Sequence, residues 1–335
     1  MKYFDTEAEM KKTVKIILAA VISVVCGILA LVLLVWGGLN IAKYVIYSDY
    51  YGVKDNVCTN PGLSDGFVCQ GICVADGSGK ILVSGYMKDD SASRIYVTDK
   101  ENNSYYVTLK NPDSSDFTGH AGGVATHGDT VYIASGGKVH FVSLTDLMAA
   151  ENGDAVQINE TVKVNNEASF VYAHDKYIYV GEFHDGKNYI TEHPYTDPDE
   201  GEHFAIVSRY KINDFVPCDD GGENVTPDRI YSIRNKVQGI CFAEGKVVMS
   251  TSYGITDSVY YVYDESNAVD SGETLDGAPV YFLGECQREM RGPAMAEGLD
   301  YYDGKVITLT ESASDKYIFG KFFFADKIVS LDVLK

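Results

Sequence analysis

Five short segments of the chain begin alike: a polar residue able to hydrogen-bond or titrate, then a small residue, then an apolar run. They are CQGIC around Gln70, GHAGG around His120, NEASF around Glu167, VQGIC around Gln238 and AEGLD around Glu297. Two carboxylates, an imidazole and two amides allow three kinds of chemistry. With water completing the shell, Glu297, Glu167 and His120 could hold one divalent cation, Ca²⁺ above all, because hard cations take oxygen ligands. The same three residues are candidate acid and base groups for hydrolysis. All five could instead solvate a water-filled channel through satisfied hydrogen bonds. Residue type alone leaves these alternatives open.

What would bring the five together is a repeat. After each polar entry comes a short apolar strand: GICVA from Gly71, GGVAT from Gly122, SFVYA from Ser169, GICFA from Gly239 and GLDYY from Gly298. A small turn follows each (DGSGK, HGD, HDK, EGK, DGK), then second and third apolar strands. Fourth strands are expected at SYYVTLK from Ser104, within Val156 to Val164, at RIYSIR from Arg229 and at VYFLGE from Val280. Five such units predict an all-β fold, a five-bladed β-propeller, with six blades as the alternative. Gln70, His120, Glu167, Gln238 and Glu297 then ring one mouth of the central channel. The fifth unit lacks an outer strand, and the segment Tyr50 to Val57 is the expected donor, which would remove an exposed edge. Glu311, at the end of a second strand, is placed near the same rim. The longest insertion, from His184 in the third unit, gathers His184, His193 and His203 among acidic residues, in no ligand spacing of known kind. KYIFGKFFFADKI from Lys316 is strongly aromatic and reads as a binding patch or as blade packing.

No charged residue lies between Ile16 and Ile41, and about 20 helical residues already span a bilayer core. Lys11, Lys12 and Lys15 precede that stretch closely, so the N-terminus is expected in the cytoplasm. The expected layout is a cytoplasmic tail at 1–12, a transmembrane signal-anchor at 13–44, a linker with the ring-closing strand at 45–66, and a propeller ectodomain at 67–335. The chain would then be a single-pass plasma-membrane protein with its propeller outside. Net charge is −20, and the first 47 residues, with five lysines against three acids, leave the rest near −22. Such a surface repels phosphate backbones, which argues against nucleic acid. No P-loop or G-x-G-x-x-G fingerprint appears, so no nucleotide cofactor is expected, and no G-x-S-x-G elbow appears either. Six cysteines outside the apolar stretch (Cys58, Cys69, Cys73, Cys218, Cys241, Cys286) permit three disulfides. The equivalent repeat positions of Cys73 and Cys241 fit small buried side chains instead.

AEGLDYYDGKVITLTES from Ala296, together with the Q-G-I entries at Gln70 and Gln238, resembles the broad NHL, SMP-30/gluconolactonase and SdiA-regulated (phytase-like) β-propeller superfamily. In the gluconolactonase group a Glu at an E-G entry helps hold a channel cation, and by resemblance that role falls on Glu297. The expected function is a membrane-tethered binding or interaction module for a protein or carbohydrate ligand. The alternative is a divalent-metal-dependent hydrolase, lactonase- or glycosidase-like, with its site at the channel mouth.

Overall fold

In the computed structural model, which describes residues 2–217, 225–317 and 325–334, the chain divides into two units, Met1–Ser48 and Asp49–Lys335. The first is a helix, Lys2–Ile46. Its span Ala8–Ile46 is long and apolar enough to cross a membrane, and none of its most apolar stretch is buried within the protein. The helix fits a transmembrane anchor.

In the second unit the first apolar run of every repeat is an inner strand: Phe67–Val74, Gly123–His127, Phe170–His174, Val237–Ala243 and Ala296–Tyr302. Each packs beside the next, and the fifth returns to the first, so the ring is closed. An antiparallel sheet runs outward from each inner strand. Blade 1 adds Ile81–Met87, Arg94–Thr98 and Ser104–Lys110. Blade 2 adds Thr130–Ser135, Lys138–Ser143 and Glu160–Lys163. Blade 3 adds Tyr177–Gly181, Ala205–Lys211 and Arg229–Ile233. Blade 4 adds Lys246–Thr251, Ser258–Asp264 and Arg288–Gly292. Blade 5 adds Lys305–Thr310 and Lys327–Leu331. The protein is a five-bladed β-propeller.

Local chemistry explains the hairpins. Glu244-Gly245 and Asp303-Gly304 both carry positive φ at two successive residues. That is the two-residue turn whose twist matches the flanking strands. The apolar faces then pack blade on blade. Leu82, Ile95 and Val107 of blade 1 meet Val131, Ile133 and Val142 of blade 2 in one buried cluster. Phe67, Ile81 and Val83 of blade 1 meet Ile307, Leu309 and Ile328 of blade 5 in another.

The ring closes with an outer strand from the expected region, but shifted along the chain: Ser48–Val53 is helical, and only the last part of Tyr50 to Val57 belongs to the strand. Lys54–Thr59 pairs antiparallel with Lys327–Leu331, from Lys54 opposite Leu331 to Thr59 opposite Lys327. Lys305 adds an ion pair to Asp55 at 2.6 Å.

Two expected outer strands are corrected. VYFLGE does not complete blade 4. Ala278–Phe282 instead runs parallel to the outer strand of blade 3, Ile230 opposite Val280, and blade 3 becomes six-stranded with Val269–Leu275 at its edge. Its buried residues explain the choice: Ala278, Val280 and Phe282 fill a cluster with Ile206 and Ile230. The stretch Val156 to Val164 is divided between two blades. Ala155–Gln157 extends blade 1 in parallel, and Glu160–Lys163 completes blade 2.

Cys58, Cys69, Cys73 and Cys241 are buried free thiols, and Cys286 is free and partly exposed. No three-disulfide framework forms among the described residues. Cys218 lies outside them, as do residues 318–324 of the aromatic stretch.

Candidate functional site

The entrances of the inner strands are irregular in all five blades. In blades 1 and 4 the antiparallel register shifts between Cys69 and Gly71 and between Val237 and Gly239, leaving Gln70 and Gln238 as extra residues. In blade 5 it shifts between Ala296 and Leu299, around Glu297. A bulge re-aims a side chain and bends its strand, and bulges gather at barrel rims and sites. Blades 2 and 3 reach the same end differently. Ala121 and Ala168, which follow His120 and Glu167, hold left-handed backbone at φ 47° and 46°. That conformation disfavours a side chain and persists only where surrounding structure enforces it.

The consequence is convergence. Gln70, His120, Glu167, Gln238 and Glu297 all line one cavity of about 680 Å³. Below them the inner strands are pressed together. A Cβ placed on Gly71 would stand 2.6 Å from the Val124 nitrogen, and one on Gly298 would stand 2.9 Å from that of Ile72. The small residue after each entry is therefore a condition of closing a five-blade ring.

Two carboxyls from blade 5 dominate the chemistry. Glu297 is only 2% exposed. Its backbone carbonyl accepts from the Ser250 hydroxyl at 2.7 Å, but among the described residues its carboxyl is met by Gln238, whose Nε2 donates to Oε1 at a long 3.5 Å. Glu311, from the end of the blade's second strand, accepts from Gln70 Nε2 at 2.9 Å. Each carboxyl is thus met by an amide from the neighbouring blade, one from blade 4 and one from blade 1. Burial first, and the nearness of Glu311 second, hold the Glu297 carboxyl well above the usual carboxylate range. Burial pushes Glu311 up to about 7, against hydrogen bonding from Tyr317 and the charge of Lys316. Both carboxyls are thereby shifted toward their protonated forms relative to ordinary glutamates.

Aromatic rings complete the walls. The Lys316 ammonium sits 4.5 Å from the centre of the Tyr86 ring and donates to the Tyr86 hydroxyl. Tyr86 also packs against His120, at 4.5 Å between ring centres. Desolvation by the wall, then the Lys316 charge, lowers the pKa of His120. Across the cavity the third-blade insertion supplies an apolar rim. Asp185 Oδ1 accepts from the backbone N–H groups of Lys187, Asn188 and Tyr189, each at 2.8 Å. That turn presents Tyr189 and Ile190, which are 52% and 66% exposed, with Phe183 edge-on to Tyr189 at 5.5 Å.

Tyr86, Tyr189, Ile190 and Tyr317 were not distinguishable in the sequence as members of this cavity. They come from outside the five entries, so no common spacing marks them. The histidines of the insertion do not converge. His184 stacks on Phe204 at 5.0 Å, His193 bonds Glu182 at 2.6 Å, and His203 lies 3.3 Å from Glu200. No group of three or more His, Cys, Asp or Glu side chains among the described residues is arranged to hold a metal ion.

A second cavity of about 390 Å³ lies at the opposite ends of the same strands, around Asp300, Asp76, His127 and His174. Its buried carboxyl is accounted for. Asp300 accepts from the backbone of Val74 at 2.6 Å and of Tyr301 at 2.7 Å, clasping blade 5 to blade 1. Glu297 has no such structural employment.

No known protein family matches the chain, and no curated protein matches it. Solved structures similar to it include the glutaminyl cyclase of Myxococcus xanthus, at 11% identity over 76% of this chain and 90% of that one, TM-score 0.43. The nidogen/laminin complex is similar at 6% identity, over 73% of each chain, TM-score 0.38. BamB from Moraxella catarrhalis is similar at 8% identity, over 78% and 82%, TM-score 0.32. At these values none of them bears on activity.

Proposed function

We propose that the protein is a membrane-tethered binding propeller that captures a small ligand, or the end of a larger one, in the mouth cavity. The observation that carries this reading is the convergence of five repeat-equivalent polar residues on one cavity with an exposed aromatic and aliphatic rim. Ligand sites are concave, largely apolar, and fixed by a few placed polar groups. The lysines at 11, 12 and 15 support a cytoplasmic N-terminus and a propeller outside. Protease added to intact cells is expected to digest the propeller and spare the tail; digestion only after lysis would reverse that orientation.

The binding reading is tested by thermal shift of the full chain in detergent micelles against a library of small polar and amphipathic compounds. A ligand at about 100 times its Kd stabilises by about 2.7 kcal/mol. The expected hit raises the melting temperature of the wild type but not of Ser135→Phe, which fills the cavity from its wall. Equal shifts in both proteins would place the ligand elsewhere.

One observation favours a second reading, hydrolysis. Glu297 and Glu311 share a site and are both shifted toward their protonated forms, which suits an acid/base pair. By the resemblance of its E-G entry to gluconolactonase-like propellers, a metal-dependent form would use Glu297, Glu167 and His120, although these three are not gathered as a metal-binding group among the described residues. Turnover of a lactone or glycoside panel that is lost in Glu297→Gln, with stoichiometric metal in the purified chain, is the expected result. No turnover and no metal would remove it.

A further inference from the structure

Among the described residues the charges of the mouth cavity do not balance: three carboxyls line it, those of Glu167, Glu297 and Glu311, against one cationic side chain, Lys316. Among the described residues no Lys or Arg lies within ion-pair distance of any of the three. Lys316 spends its ammonium on Tyr86 and lies 5.4 Å from the Tyr317 ring centre. Glu311 is met by the Gln70 amide and the Tyr317 hydroxyl, whereas the Glu297 carboxyl is met only by the long Gln238 contact, which leaves most of its lone pairs without a donor among the described residues. A carboxyl as deeply buried as that of Glu297 is costly to ionise without a cation beside it.

The geometry points to a ligand bearing a primary ammonium group, whose head lies against Glu297 and Glu311 while its carbon chain follows Phe183, Tyr189 and Ile190. This inference rests on the cavity-binding reading and names the ligand class for it. Three features fit an ammonium and fit a neutral or anionic head less well. Its three N–H donors match the acceptor capacity left on Glu297, which is met only by a long amide contact, and the further lone pairs of Glu311. Aromatic faces attract a cation electrostatically, and Lys316 on Tyr86 already shows this wall accepting one. The acidic surface, at net charge −20, concentrates cations at the mouth.

Proton balance follows. Without ligand the Glu297–Glu311 pair is shifted toward its protonated forms. An ammonium head favours both carboxylates, so binding drives protons into the buffer. Among the described residues the other titratable groups beside the pair are Cys69, Tyr260, His120, Glu167, Tyr86, Tyr317 and Lys316. His120 is already held toward its neutral form, so it has little proton to give at pH 7.

The test is calorimetric titration of the full chain in detergent micelles at about pH 7, in phosphate and in HEPES, with three water-soluble probes of like size. These are 5-amino-1-pentanol, the neutral 1,5-pentanediol and the anionic 5-hydroxypentanoate. The amine is expected to bind about tenfold or more tighter than either. Its observed heat should differ between the buffers in the sense of proton release. Glu297→Gln and Glu311→Gln, each checked for a wild-type-like melting temperature, should lose about tenfold in amine affinity and leave the diol unchanged. Equal binding of amine and diol would overturn the ammonium inference and leave the cavity reading standing. Tighter binding of the acid would overturn it in favour of Lys316 as the anchor. If none of the three binds, the ammonium inference also fails, and the Ser135→Phe comparison alone decides whether the cavity binds anything.

Discussion

A carboxylic acid that a fold buries without a counter-charge leaves a mark on stability. Glu297 and Glu311 have folded pKa values above those of an unfolded chain, Glu311 at about 7, against about 4.3 unfolded. Between those limits the native state holds more protons than the unfolded state. The stability they contribute is therefore complete below about pH 4.3 and is lost as pH rises through the folded values. From about pH 5.5 to about pH 8 the wild-type melting temperature should fall more than that of a Glu297→Gln/Glu311→Gln variant, measured by differential scanning calorimetry. His120 and His140 titrate in the opposite sense, but both remain in both proteins, so the difference isolates the pair. Parallel profiles would contradict the burial of these carboxyls. The five entry residues were legible in the sequence because each stands just before the small residue and apolar run of its unit, though Gln70, Gln238 and Glu297 prove to lie within the inner strands rather than ahead of them. Glu311 could be placed only near the rim, and its bond to Gln70 spans 241 positions that no local pattern connects.

At the scale of the elements, what mattered most was invisible as spacing. Bulges at Gln70, Gln238 and Glu297 show only as a one-residue slip in pairing, and the left-handed Ala121 and Ala168 only as φ. The Gly or Ala after each polar entry was the trace that close packing leaves in sequence. Inner, second and third strands were legible from their apolar runs. Outer strands were not, because VYFLGE carries an alternation that suits the edge of either neighbouring blade. Burial decides it: Val280 and Ile230 are both fully buried and stand opposite each other. A double-mutant cycle of Ile230→Ala and Val280→Ala, by denaturant unfolding, should give a coupling of about 0.5–3 kcal/mol. Additive effects would return Ala278–Phe282 to blade 4. The closing strand, by contrast, was legible, since a fifth blade without an outer strand must borrow one from the chain start.

Over the whole molecule the architecture assigns separate tasks. The apolar helix supplies a hydrophobic stretch that is not buried among the described residues and that a bilayer would satisfy. The ring of blades supplies a rigid frame, and the frame's five irregular entrances supply a cavity. Size and repeat number made the ring readable, because five strand–turn–strand units have few other ways to bury their faces. The full lining of the cavity was not readable, because it takes residues from the second strands and the third-blade insertion as much as from the repeat. The most direct measurement is an experimental structure of the full chain with the compound that stabilises it most. The account predicts ligand density at the five entrances, in contact with Glu297 or Glu311 and with the Tyr189–Ile190 rim. Density instead at the opposite ends of the inner strands, beside Asp300, or on an outer blade edge, would contradict it.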